Sequence, residues 1–294
     1  MRRCCSTSRS ISDGHQRMMA RPPNLELPGS FTMRSHTVEL VIESKTGSQL
    51  RSFPVGSVSG ARFSSRDTRG MRRELDAMIA EDGHFTGATR TNPSIFRIGC
   101  YLLTQDDEFE VQGILTGCEA EVVAICTGDE IFISVGSDQC DRELDPIFPD
   151  KPKQMCPHPI ASTAWPYEEV RDHWDQLRIY SEVEVAGHTV PLQDTSIDTQ
   201  VDLEYLLAMD PVKSLSEPKV LYCGATPFLS DSIAEAIREH DLPAATAHGT
   251  GDRTLLRLYD PVLDRTIEHR FRAVPLGDEL QERNLIPVVG KPGG

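Results

Sequence analysis

An acidic strand–turn–strand segment is the feature that most constrains how this chain can fold. Residues 118–138 form two apolar runs separated by Gly128 and Asp129, a Gly-X pair that favours a tight type II′ hairpin turn. With this turn Thr127 faces Glu130, and that pair fixes the register of the whole ladder. The segment therefore predicts an antiparallel hairpin inside a β-rich fold.

Three carboxylates meet at the open end of this hairpin. The register places Glu119 opposite Asp138 and Glu121 opposite Gly136, and strand residues two apart share a face. Like charges this close repel, and a divalent cation such as Mg²⁺ or Mn²⁺ would relieve the repulsion. We therefore predict a metal site here, with Gly136 leaving room for a ligand. The alternative is an acidic strand end that faces water.

The rest of the chain is mostly strand, with a few short helices. Residues 36–43 alternate between apolar and polar, and apolar spacing predicts helices over 69–80, 201–209 and 230–240. No regular alternation of strand and helix appears, which favours an α+β fold with mostly antiparallel or mixed sheets. Further strands are predicted at 99–104, 108–115, 119–126, 130–136, 174–186, 218–223, 253–259 and 266–274, with a Pro-rich loop over 146–159.

Composition limits the possible partners. The formal net charge is −15, so phosphate backbones and anionic lipids are disfavoured, while a small anionic substrate fits wherever a metal or local positive charge is present. No apolar stretch is long enough for a membrane helix. The eight cysteines contain no CxxC pair. We expect a water-soluble, cytoplasmic protein with reduced thiols.

The first 32 residues differ from the remainder. They are rich in Arg and Ser and poor in acidic residues, which is typical of a disordered extension or of a transit peptide. We expect a dispensable, disordered extension over 1–32 and a single catalytic domain over 33–294.

The hairpin and the residues after it resemble the fumarylacetoacetate hydrolase superfamily. Gly136-Ser-Asp-Gln-Cys-Asp-Arg142 is similar to its Gly-Asn-Asp-x-x-x-Arg motif, and Glu119-Ala-Glu121 to its upstream Glu-x-Glu. The Gly-Ser-Asp-x-x-Asp-Arg-Glu form resembles a less studied prokaryotic branch. The resemblance implies a roll-like α+β fold in which Glu119, Glu121 and Asp138 bind Mg²⁺ or Mn²⁺.

The same resemblance implies further site residues. Arg142 occupies the position of the motif arginine, and Lys153, with Lys151 as the weaker choice, fits a downstream catalytic lysine. Leu221–Pro227 is similar to a late Gly-Thr-Pro segment, which implies that Gly224 and Thr226 bind substrate. The family's water-activating His-x-x-Glu pair is not visible, and Glu74 is the substitute proposed for it.

The reaction implied is hydrolysis of a C–C bond in a small 2-oxo acid of the acylpyruvate type by a homodimeric enzyme of aromatic-compound catabolism. Opening of an enol-lactone that bears a 2-oxo acid uses the same metal contacts, and decarboxylation, dehydration and tautomerisation occur on the same scaffold. The alternative from another class is a non-catalytic module that binds a small anion without a metal.

Three histidines are interpreted separately. His173, in the segment Asp172-His-Trp-Asp175, is either a general base or a structural hydrogen-bonding residue, and the structural role is favoured. His158 and His248 stand apart from other motifs and are expected on the surface.

Overall fold

The acidic hairpin forms in the predicted register. Strand Ala120–Thr127 pairs antiparallel with strand Glu130–Ser137, and Thr127 lies opposite Glu130. Gly128 has a φ of 66°, and Asp129 is not among the residues with positive φ, which agrees with a type II′ turn.

The computed structural model describes residues 36–73, 76, 93–145, 151–210 and 218–276. The strands within these ranges are β1 His36–Ser44, β2 Gly47–Val55, β3 Ser57–Arg62, β4 Ser94–Ile98, β5 Leu103–Thr104, β6 Glu108–Gln112, β7 Thr116–Gly117, β8 Ala120–Thr127, β9 Glu130–Ser137, β10 Cys140–Asp141, β11 His158–Pro159, β12 Thr163–Pro166, β13 Arg178–Val185, β14 His188–Ser196, β15 Lys219–Tyr222, β16 Arg253–Asp260 and β17 Arg265–Leu276.

These strands form two large sheets and two small ones. The eight-stranded sheet has the order β2-β1-β12-β9-β8-β15-β3-β4, and the five-stranded sheet has the order β14-β13-β16-β17-β6. Pairing is mostly antiparallel, but β1–β12, β15–β3, β11–β5 and β17–β6 are parallel. The two-stranded sheets are β10-β7 and β11-β5. The predicted α+β fold with mixed sheets is confirmed.

Helices are few and short. Residues 68–73 are helical and are called α1; the others are α2 Tyr167–Val170, α3 Leu203–Met209 and α4 Ser230–His240. Short 3-10 turns lie at Cys100–Leu102, Pro152–Gln154, Arg171–Gln176, Ile197–Thr199 and Ala244–His248. None of the described helices is long and apolar enough to cross a membrane.

Strand β8 lies between two apolar cores. Val122 and Ala124 belong to one cluster of buried side chains, and Val123 and Ile125 belong to another on the opposite face of the sheet. A strand covered on both faces carries a continuous apolar run, which explains its sequence. The same placement brings the acidic beginning of β8 below the protein surface.

Several predicted elements differ from the structure. Residues 100–102 and 171–176 form 3-10 turns where strands were predicted, and the Pro-rich loop contains the two-residue strand β11. Strand β2 was not predicted, because it contains Pro54 and proline disfavours strands. The proline is tolerated because β2 lies at the edge of its sheet. The predicted extension over 1–32 lies outside the described residues, as does most of the second half of the predicted helix 69–80.

The described cysteines carry no disulfide. All six are free thiols, and five are buried. Burial raises the pKa of Cys126 to about 11 and the pKa of Cys118 to about 12. The buried Cys118 and Cys126 thiols are therefore poor nucleophiles at neutral pH.

Candidate metal centre

Glu119, Glu121 and Asp138 converge at the open end of the β8–β9 hairpin. Each offers a carboxylate oxygen within 4.8 Å of the others. Asp138 N–H donates to the Glu119 carbonyl oxygen at 3.0 Å, which extends the ladder past the last strand residues. The side chain of Glu119 is 19% exposed, and Glu121 and Asp138 are only 1% exposed. The group is buried, so it is not an acidic strand end that merely faces water.

One oxygen of each carboxylate faces a nitrogen from another part of the chain. The pairs are Glu119 Oε1 with Arg142 Nη2 at 2.9 Å, Glu121 Oε2 with the Gly224 backbone N–H at 2.7 Å, and Asp138 Oδ1 with His158 Nδ1 at 3.2 Å. These contacts orient the three carboxylates. Supporting groups of this kind are typical around metal ligands.

Lys153 bridges two of the remaining oxygens. Its Nζ donates to Glu119 Oε2 at 2.7 Å and lies 2.6 Å from Asp138 Oδ2. It also donates to the Asp138 carbonyl oxygen at 3.1 Å. The ammonium group is buried and sits on a 3-10 turn begun by Pro152. Lys151, the weaker choice in the sequence, is exposed.

The pKa shifts show how unevenly the charges are balanced. Burial favours the neutral forms of Glu119 and Asp138, but nearby positive groups outweigh it and lower both pKa values. These groups are Arg142 and Lys153 for Glu119, and Lys153 and His158 for Asp138. Burial, reinforced by the charges of Asp138 and Glu119, raises the pKa of Glu121 well above its usual value. Glu121 is thus the carboxylate with the least compensation.

The donor set suits a hard divalent cation. Both carboxylate oxygens of Asp138 are buried, and Lys153 Nζ and His158 Nδ1 face them at 2.6 and 3.2 Å. Three carboxylates that converge from two strands match the oxygen ligands that Mg²⁺ and Mn²⁺ prefer. The residues present therefore fit the predicted ion.

A pair of arginines lies at the more exposed side of the carboxylates. Arg62, at the end of β3, forms an ion pair with Asp145, and Arg142 Nη1 lies 3.7 Å from the same carboxylate. Arg62 Nη1 is buried and has no hydrogen-bond partner among the described residues. Sequence reasoning missed Arg62, because β3 and the Asp138 motif meet only through the sheet.

Gly136 does not provide the ligand space expected from the sequence. A Cβ atom there would lie 2.6 Å from the Pro159 carbonyl oxygen and 2.9 Å from the Tyr222 ring. The glycine instead admits the aromatic ring and the backbone of a neighbouring segment. The Tyr222 hydroxyl donates to the His158 carbonyl oxygen at 3.0 Å.

The predicted substrate residues lie on the segment after β15. Gly224 has a φ of 97°, which favours glycine, and its N–H holds Glu121. The Thr226 hydroxyl oxygen accepts an N–H from Gln193 at 3.0 Å. Thr226 and Ser64 also line a cavity of about 360 Å³. A Cβ at Gly224 would meet Ser64 Oγ, so this cavity begins beside the segment that anchors Glu121.

The histidines are placed in three different ways. His158 is fully buried against Asp138, so the expectation of a surface position was wrong. Its position follows from the parallel pairing of β11 with β5, which no local pattern reveals. His248 is exposed, as expected. His173 Nε2 lies 2.9 Å from Asp260 Oδ1 and does not contact Glu119, Glu121 or Asp138, which fits the structural role. Glu74 lies outside the described residues.

Solved structures of low sequence identity share the fold of this chain. A 2-keto-3-deoxy-D-arabinonate dehydratase in its apo form is 12% identical, with a TM-score of 0.51 over 77% of this chain and 76% of that chain. A 2-hydroxyhepta-2,4-diene-1,7-dioate isomerase from Mycobacterium marinum is 12% identical, with a TM-score of 0.48 over 82% of this chain and 100% of that chain. A comparison with curated proteins found no match.

The fold and the site thus define an α+β protein with mixed sheets and a buried carboxylate centre. Residues 63–271 match a family model described as "Protein of unknown function (DUF2848)", and the chain belongs to that family. The assignment to a branch defined by the Gly-Ser-Asp motif stays a prediction.

Proposed function

We propose that this protein is a divalent-metal-dependent enzyme that acts on a small 2-oxo acid, with C–C bond hydrolysis of an acylpyruvate as the leading reaction. The observation that carries the proposal is the convergence of Glu119, Glu121 and Asp138 around a buried Lys153. A solvated surface cluster would need neither the burial nor the supporting donors.

The bound cation, Mg²⁺ or Mn²⁺, supplies Lewis-acid polarisation of the substrate's oxygens. Arg142 and Arg62 offer guanidinium groups at the exposed side, where they attract and orient a carboxylate. Lys153 holds a positive charge where an enolate develops. Thr226, together with the adjoining cavity, contacts the tail of the substrate. Glu74 is proposed as the base that activates water.

Dehydration is the second candidate, because the dehydratase with a TM-score of 0.51 acts, by its name, on a 2-keto-3-deoxy acid. This fold-level similarity places a 3-deoxy-2-oxo sugar acid among the substrates to be tried. Opening of an enol-lactone that bears a 2-oxo acid needs the same contacts. We further propose that the protein is cytoplasmic and forms a homodimer. Light scattering of the purified protein measures its molar mass and so checks the homodimer.

The test is a panel of 2-oxo acids offered to the full chain after EDTA treatment, with and without Mg²⁺ or Mn²⁺. The panel contains acylpyruvates, an enol-lactone and a 3-deoxy-2-oxo sugar acid, and turnover is followed by loss of substrate and by product identification. Turnover that requires metal and disappears in Asp138→Ala supports the proposal. Tight anion binding without metal dependence or turnover would instead identify a non-catalytic binding module.

A further inference from the structure

His158 occupies a position that connects the two main parts of the site. It lies on β11, is fully buried, and follows Lys153 by five residues. Its Nε2 is 2.6 Å from the Lys153 carbonyl oxygen, and its Nδ1 is 3.2 Å from Asp138 Oδ1. One imidazole ring therefore touches a carboxylate of the centre and the backbone of the lysine that bridges it.

The partners determine what the two ring nitrogens must do. A carbonyl oxygen only accepts, so Nε2 carries a proton and donates to Lys153. The Nδ1 contact with the Asp138 carboxylate is attractive together with the Nε2 contact only in the imidazolium form, which carries a proton on each nitrogen. The ring is held in place by Tyr222, whose edge packs against it with the ring centroids 5.6 Å apart. Its freedom to turn away from Asp138 is accordingly small.

We propose that His158 is a positioning residue that fixes the orientation of the Asp138 carboxylate in the proposed metal centre. This inference rests on the proposed metal centre and adds a residue to it that no motif supplies. The supporting logic is general: groups that orient metal-binding carboxylates raise metal affinity, and their loss typically costs about 10- to 100-fold.

Two substitutions separate the roles of the two nitrogens. His158→Asn places an amide nitrogen near the position of Nδ1 and can still donate to Asp138, but it cannot reach the Lys153 carbonyl oxygen. His158→Gln places its amide near Nε2 and loses Asp138. Metal-free protein of each variant is titrated with Mn²⁺ in a calorimeter, and melting temperatures are measured with EDTA.

We expect the Mn²⁺ affinity of His158→Gln to fall about 10- to 100-fold, whereas His158→Asn keeps most of the wild-type affinity. Equal losses in both variants would show that the ring serves only as packing, and unchanged affinity in both would remove any role in positioning; either result overturns the inference. If His158→Gln does not fold, His158→Asn alone decides: wild-type Mn²⁺ affinity in that variant supports the inference, and a loss of Mn²⁺ affinity overturns it. Absence of Mn²⁺ binding by the wild type would overturn the metal centre itself, which is a distinguishable failure.

Discussion

Two groups of buried charges in this molecule are built on different principles. The first is the carboxylate centre described above. The second, which we call the Arg265 cluster, consists of Arg265, Asp260, Glu169 and His173. In the Arg265 cluster each carboxylate oxygen has its own donor: His173, Arg265 and the backbone N–H groups of Lys45, Val262 and Leu263 supply them.

The carboxylate centre lacks this balance. Its three carboxylates crowd within 4.8 Å, two of them share the Lys153 ammonium, and burial and acidic neighbours raise the pKa of Glu121. Buried charges that satisfy one another stabilise a fold, whereas buried charges that repel one another need a partner from outside. The difference teaches that burial of charge alone does not mark a functional site; the crowding of like charges distinguishes the carboxylate centre.

The largest effect on metal binding and turnover is expected from Glu121→Gln. The amide can still accept the Gly224 N–H, but it removes a negative charge from the centre. We expect loss of metal binding and of turnover, with a metal-free melting temperature equal to or above that of the wild type because repulsion is relieved. Calorimetric titration with Mn²⁺ and thermal melting in EDTA check this. Metal binding of wild-type strength in this variant would place the ion elsewhere.

The matched change in the Arg265 cluster is Asp260→Asn. It removes the buried negative charge that faces Arg265 and His173, while Glu169 still pairs with Arg265. Breaking a buried ion pair costs up to about 3–5 kcal/mol of stability. We expect a large drop in the free energy of unfolding, measured with urea, and unchanged Mn²⁺ affinity for the folded protein. A stability like that of the wild type would mean that the two groups do not differ as described.

Lys153→Met tests the bridging ammonium. Loss of one positioned electrostatic group typically lowers the rate about 100- to 1,000-fold. Lys151→Met is the control, because Lys151 is exposed and only two residues away. Rates are measured on the substrate identified in the panel. Similar rates for Lys153→Met and the wild type would remove Lys153 from the reaction.

The smallest effect is expected at the turn end of the same hairpin. Glu130 and Arg51 form an ion pair with distances of 3.1 and 2.7 Å, but both side chains are substantially exposed. Exposed pairs contribute about 0–1 kcal/mol. Glu130→Gln should therefore change the urea midpoint little and leave metal affinity intact. A loss comparable to that of Asp260→Asn would show that exposure does not separate these ion pairs.

The sequence predicts the hairpin well because its information is local. The turn at Gly128 sets the register, and the register brings Glu119, Glu121 and Asp138 together. Burial of the group follows from the apolar run in β8, which lies in the middle of the large sheet. Strand geometry and turn chemistry were thus enough to predict the type of fold and the carboxylate cluster.

The residues that surround the carboxylates could not be predicted in the same way, because they come from segments distant in the sequence. Arg62 arrives through the parallel pairing of β3 with β15, and His158 arrives through β11. Neither pairing leaves a periodic trace in the sequence. Gly136 was misinterpreted for the same reason: a glycine in a strand indicates that something approaches closely, but not whether it is a ligand or a tyrosine.

The contact of Tyr222 with Gly136 has a thermodynamic consequence. The ring and the Pro159 carbonyl oxygen fill the space above the glycine, and the Tyr222 hydroxyl holds the 158–159 backbone. The carboxylates are held by donors of the chain itself, Arg142 for Glu119 and the Gly224 N–H for Glu121, so their orientation is set when the chain folds. The entropy of fixing their rotamers is lost during folding and not at the moment of binding. An arriving cation would then meet carboxylates whose orientation is already set, and its affinity would reflect its dehydration and its competition with the Lys153 ammonium more than ordering of the protein.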